Sequence, residues 1–164
     1  MPDAQSPPAS PTILVVDDDP SIVNLCHAIL EQAGFTILDA DGSSEALKIC
    51  MRHEGPIDLL LTDLILPPPG FHLASGANEF PHVHGPGLAV RAARIREGLR
   101  IVLMSGNPDK ELDSHGIKPG ILPFMQKPFE PAALIQLIRD VLQSPLPTIN
   151  ENREQTTNDV DWFD

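Results

Sequence analysis

Asp63 closes an apolar run of strand length, Leu59-Leu60-Leu61-Thr62. Such a run reads as a buried parallel strand, and it delivers one carboxylate to the carboxyl edge of a sheet, where open α/β sheets place their ligands. Two further runs end in chemically useful side chains: Ile13-Leu14-Val15-Val16 leads into Asp17-Asp18-Asp19, and Ile101-Val102-Leu103-Met104 leads into Ser105. Lys127 follows a weaker apolar stretch from Ile121 to Met125. Acids, a hydroxyl and an ammonium are therefore expected on one sheet edge. Carboxylates gathered there repel one another unless a cation joins them, and their hard oxygens suit a divalent cation of the Mg²⁺ kind. Asp19, just before Pro20, is better read as a helix N-cap.

The elements that must position these groups alternate along the chain. After strand one, Ile22, Leu25, Cys26, Ile29 and Leu30 keep helical spacing until Gly34. Phe35 to Leu38 is a second strand, and Ser43 or Ser44 caps a second helix with Ala46, Leu47, Ile49 and Cys50 inward, ending before Gly55-Pro56. A third helix is expected from Leu88 to Glu97, with Leu88, Val90, Ala92 and Ile95 available for burial and Gly98 as its stop. Strand four spans Arg100 to Met104, a short helix Pro108 to Ser114, strand five Ile121 to Met125, and a last amphipathic helix Pro131 to Gln143. Strands alternating with helices make a doubly wound, five-stranded parallel sheet.

The 164 residues suffice for one domain, expected over residues 13–143 between a flexible leader (1–12) and a flexible acidic tail (144–164). A net charge of −12 argues against nucleic acid or an anionic membrane as partner, because phosphate binding needs clustered Lys and Arg. No apolar run reaches the length of a membrane span, and Met1 to Thr12 lacks a secretory pattern, so a cytoplasmic location is expected. Cys26 and Cys50 sit in apolar helical patterns and read as buried thiols.

Val15-Val16-Asp17-Asp18, Asp63 with Pro67 four residues on, Ser105-Gly106 and Lys127-Pro128-Phe129 together resemble the motif set of the receiver domain of two-component response regulators. The similarity covers roughly Thr12 to Gln143. It implies a flavodoxin-like (βα)5 fold and a single-domain response regulator. Asp63 would take a phosphoryl group from a histidine kinase or histidine phosphotransfer protein, and an output protein, as yet unknown, would bind the phosphorylated form. The resemblance also implies Mg²⁺ (or Mn²⁺) on Asp17, Asp18, Asp63 and the main-chain carbonyl of Ile65, with Ser105 and Lys127 on the phosphoryl oxygens. It further implies a switch pair of Ser105 and Phe124, a cis peptide between Lys127 and Pro128, and room for a phosphorylation-dependent dimer. No turnover enzyme is implied beyond self-phosphorylation and dephosphorylation.

Residues 68–86 depart from the family, whose connection between the phosphoacceptor and the glycine before the third helix is short. This insertion carries Phe71, Phe80, Val83 and three histidines, His72, His82 and His84, which lack the further ligands of a zinc site. A partly ordered flap that limits access to Asp63 or selects the kinase is expected there. Two other classes remain open. A receiver-like scaffold would keep the motifs without using them, and an aspartate-nucleophile phosphohydrolase would place a second acid where Ile65 stands. No Gly-x-Gly-x-x-Gly follows strand one, which disfavours a dinucleotide-binding domain.

Overall fold

The computed structural model describes residues 10–66, 85–106 and 123–144. Five strands, β1 (Thr12–Val16), β2 (Thr36–Ala40), β3 (Leu59–Asp63), β4 (Arg100–Ser105) and β5 (Phe124–Gln126), form one parallel sheet in the order β2-β1-β3-β4-β5. Four helices among the described residues cover it: α1 (Pro20–Gln32), α2 (Ser43–Arg52), α3 (Gly85–Ile95) and α4 (Pro131–Gln143). This is the doubly wound, five-stranded parallel sheet that the alternation of elements predicts.

The continuous apolar runs of β1 and β3 serve two cores at once, because successive side chains point to opposite faces. Ile13, Val15, Leu59 and Leu61 meet α1 and α4 through Cys26, Leu30, Leu134 and Ile138. Leu14, Val16 and Leu60 meet α2 and α3 through Ala46, Leu47, Leu88 and Ala92. Truncating one of the fully buried leucines to Ala would cost about 2–5 kcal/mol. Gly34 stops α1 at a φ of +101°, whereas Gly98, at +83°, lies in the turn three residues after α3 has ended at Ile95; both occupy a backbone region that side chains resist. Cys26 and Cys50 are buried free thiols, and burial pushes the Cys26 thiol up to about 12.

Several expectations need correction. Thr12 belongs to β1 rather than to a leader: it is buried, and its N–H donates to Asp58 Oδ2 at 2.8 Å. Gly85 and Pro86, assigned to the insertion of residues 68–86, form the first turn of α3, which ends at Ile95. The helix-breaking look of Gly-Pro-Gly hid a start signal, since proline is tolerated in a first helical turn. The stripe of α1 is rotated: Val23 is buried while Leu25 is 45% exposed. Strand two lies later than expected, at Thr36–Ala40, and β5 is the short edge Phe124–Gln126. Ser144 closes α4, its hydroxyl donating to the Asp140 carbonyl at 2.8 Å. The expectations for the leader before residue 10, the body of the insertion with its histidines, the Pro108–Ser114 helix and the tail beyond Ser144 lie outside the described residues.

Candidate functional site

The strand order reverses between β1 and β3: β1 is followed in the chain by its neighbour on one side, β2, whereas β3 lies on the other. Helices that diverge from such a point leave a crevice at the carboxyl ends of the two strands. Asp17 and Asp18 follow β1 directly, and Asp63 ends β3.

Asp17 is buried and both its oxygens are engaged. Oδ1 accepts the main-chain N–H of Asp19 at 3.0 Å, and Oδ2 accepts Lys127 Nζ at 2.9 Å. These two bonds fix the carboxylate plane. Asp18 is exposed beside it, and Asp19 turns away to cap α1, accepting the main-chain N–H of Ser21 at 3.0 Å. Lys127 Nζ also stands 3.3 Å from Asp63 Oδ1, so one ammonium bridges the ends of β1 and β3. Asp17, Asp18 and Asp63 each bring an oxygen within 4.8 Å of the others.

Lys127 reaches this position through its main chain. Its N–H donates to the carbonyl of buried Ser105 at 2.8 Å, so the β4–β5 register sets where the lysine departs. The Lys127–Pro128 peptide is cis. Ser105 pairs with Gln126 one step beyond the Asp63–Met104 pair, which brings β4's last residue to the same edge. Phe124, half-buried in β5, packs with Ile65 against Leu64 and Leu103, immediately behind Asp63. The structure thus gathers Asp17, Asp18, Asp63 and Lys127 into one cluster, with Ser105, Ile65 and Phe124 in the surrounding layer.

Burial raises the Asp63 carboxyl to about 6, and the charge of Asp17 adds to the rise against the pull of Lys127. Asp18 is also raised, by its partial burial and then by Asp17. Burial works against the charge of Lys127, yet its bonds to Asp17 and Asp63 outweigh that and raise its pKa. Above about pH 6 Asp63 is therefore an ionised carboxylate beside a fixed ammonium.

Three carboxylates and one ammonium leave two net negative charges, which a divalent cation would balance. The donors are all hard oxygens. Two oxygens on one octahedral Mg²⁺ stand about 3 Å apart when adjacent and about 4 Å when opposite, so the cluster needs only small side-chain adjustments to hold one. The donor set fits that group.

Gly85 is a site residue that the sequence reading placed wrongly. Its N–H donates to the Leu64 carbonyl at 3.0 Å, and a Cβ built on it would overlap the Asp63 carbonyl oxygen and stand 3.0 Å from Leu64 Cα. The close approach belongs to Gly85, so the start of α3 rests directly on the main chain that carries Asp63.

A sequence profile described as the response regulator receiver domain matches residues 13–75. An uncharacterized 14.6 kDa protein of Leptolyngbya boryana is 33% identical over 129 residues, covering 77% of this chain and 86% of that protein. The DNA-binding response regulator MtrA of Mycolicibacterium smegmatis is 33% identical over 127 residues, 77% of this chain and 48% of MtrA. Among solved structures, the receiver domain of the hybrid histidine kinase CckA matches with a TM-score of 0.60 at 25% identity, covering 80% of this chain and 99% of that one. The chain spans 28% to 55% of the length of several transcriptional regulators that it matches. With the parallel sheet, the acid cluster at its switch point and the lysine that bridges it, these likenesses establish that the chain belongs to the response regulator receiver domain family of two-component signalling systems.

Proposed function

We propose that Asp63 accepts a phosphoryl group from a phosphohistidine of a histidine kinase or histidine phosphotransfer protein, and that an output protein reads the phosphorylated form. The observation that carries this reading is the bridge of Lys127 between Asp17 and Asp63, at 2.9 and 3.3 Å, inside a cluster of three carboxylates. An Asp63 oxygen attacks phosphorus, the P–N bond to the donor imidazole breaks, and the leaving imidazole nitrogen takes a proton, giving an acyl phosphate.

Mg²⁺ or Mn²⁺, held by Asp17, Asp18, Asp63 and the Ile65 carbonyl, would neutralise charge on the transferring phosphoryl group. Asp17 is oriented for this by its two hydrogen bonds. Lys127, already 3.3 Å from Asp63 Oδ1, meets the phosphoryl oxygens as a point charge, and the Ser105 hydroxyl donates to one of them. Ser105 moves toward the phosphoryl group and Phe124 answers by turning inward, which changes the surface over β4 and β5; a dimer formed through that surface is one output open to it. Ile65 lies in an apolar cluster, where an aspartate-nucleophile phosphohydrolase would place a second acid, and this favours a phosphoacceptor over a turnover enzyme. Among the described residues no helix is long and apolar enough to cross a membrane.

Incubation with a small labelled phosphodonor tests the proposal. Label should enter the native chain only with a divalent cation present and should not enter Asp63→Asn; equal incorporation in that variant would remove Asp63 from the mechanism.

A further inference from the structure

Helix α3 carries a basic exposed face on this acidic chain. Arg91, Arg94 and Ile95 stand at i, i+3 and i+4, so they form one patch, and all three are exposed. Neither arginine has a hydrogen-bond or ion-pair partner among the described residues. Arg96 donates from Nε to the Cys50 carbonyl at 2.9 Å and from its terminal nitrogens to the carbonyls of Gly55 and His53. It thereby draws together the carboxyl ends of α2 and α3, which places Met51, 59% exposed, at the same end of the layer as Ile95, 38% exposed. The result is two guanidiniums without a partner among the described residues beside two exposed apolar side chains.

A separate observation concerns where the chain leaves α4. The Ser144 carbonyl accepts Arg100 Nη2 at 2.6 Å, and Arg100 begins β4 five residues after Ile95. Arg100 Nε is buried with no partner among the described residues. A buried N–H calls for an acceptor, and the chain continues directly from the Ser144 carbonyl that Arg100 already holds. Residues 145–164 hold five acids and one arginine and include Asp159-Val160-Asp161-Trp162-Phe163.

We propose that the segment Asp159–Asp164 docks on the exposed face of α3 of its own chain. Asp159 and Asp161 pair with Arg91 and Arg94, and Trp162 and Phe163 cover Ile95 and Met51. Reach is sufficient: Pro145 to Asp161 spans about 55 Å when extended, against a length of about 16 Å for α3. Because α3 begins at Gly85 against the Asp63 carbonyl, the docked segment occupies a helix joined to the acid cluster, and a partner that binds this face must displace it. The inference stands independently of phosphoryl transfer.

Trp162 is the sole tryptophan and the chain has no tyrosine, so fluorescence excited at long wavelength reports the segment alone. At low salt the full chain should show a blue-shifted emission and reduced acrylamide quenching relative to a free peptide of residues 145–164. The double variant Arg91→Glu/Arg94→Glu, its fold checked by circular dichroism, should lose that protection. Adding Asp159→Arg and Asp161→Arg should restore it. Quenching in the full chain equal to that of the peptide, or protection that survives reversal of both arginines, would overturn the proposal. Protection that grows with protein concentration would also overturn it, by showing that the segment docks on a second copy.

Discussion

Replacing Asp63 by asparagine should stabilise the metal-free protein. The carboxyl is held at about 6 against its ordinary 3.8, with burial as the main cause and the Asp17 charge next. A shift of about two units means that ionising Asp63 in the folded state costs about 3 kcal/mol more than in the unfolded chain. The raised folded pKa fixes the sign. Below about pH 4 both states hold the proton and the stability is fully present; it is lost as pH rises to about 6, where the folded state gives the proton up. Asparagine keeps the shape and cannot ionise. Asp63→Asn should therefore be more stable than the native chain by about 1–3 kcal/mol at pH 8 in chelator, with the gain shrinking toward zero near pH 4. Urea unfolding at the two pH values, with and without Mg²⁺, measures this. Saturating Mg²⁺ should narrow or reverse the gap at pH 8, because a cation that binds the folded native chain stabilises it by mass action. A variant equally or less stable than the native chain at pH 8 in chelator, or a gain of the same size at pH 4, would refute the account of the acid cluster.

Other outcomes follow from the same geometry. Gly85→Ala puts a Cβ into the Asp63 carbonyl oxygen, so the start of α3 or the end of β3 must move; a loss of about 1–3 kcal/mol in denaturant titration and slower phosphorylation are expected. Arg96→Met removes three hydrogen bonds to carbonyls at the end of α2 and should cost about 1.5–3 kcal/mol while leaving Mg²⁺ affinity, read by calorimetry, unchanged. Mg²⁺ competes with the proton on Asp63, so its apparent affinity should rise as pH increases through about 6 and level off above it.

The sheet and the acid cluster were legible because both depend on local pattern. Leu59 to Leu61 and Ile13 to Val16 are apolar at every position, as strands buried on both faces must be, and the acids mark their ends. What sequence could not show was long-range contact. Nothing local tells that Lys127 lies 2.9 Å from Asp17 at a separation of 110 residues; the strand-end pattern put both on one sheet edge without pairing them. Gly85 escaped because its reason is the carbonyl of Asp63 overhead, whereas its neighbours Pro86 and Gly87 read as helix breakers. The rotation of α1 that buries Val23 and leaves Leu25 outside is likewise set by packing, since both leave a plausible apolar stripe. Arg96 carried only the weak signal of a cation near a helix end.

The central claim is that Asp63 becomes an acyl phosphate. Borohydride reduces an aspartyl phosphate to homoserine, so treating the protein after exposure to a phosphodonor and Mg²⁺, then mapping peptides by mass spectrometry, locates the modified residue. The account predicts homoserine at position 63, absent when the cation is chelated. Homoserine at Asp17 or Asp18 instead, or none at position 63 while the protein carries label, would contradict it.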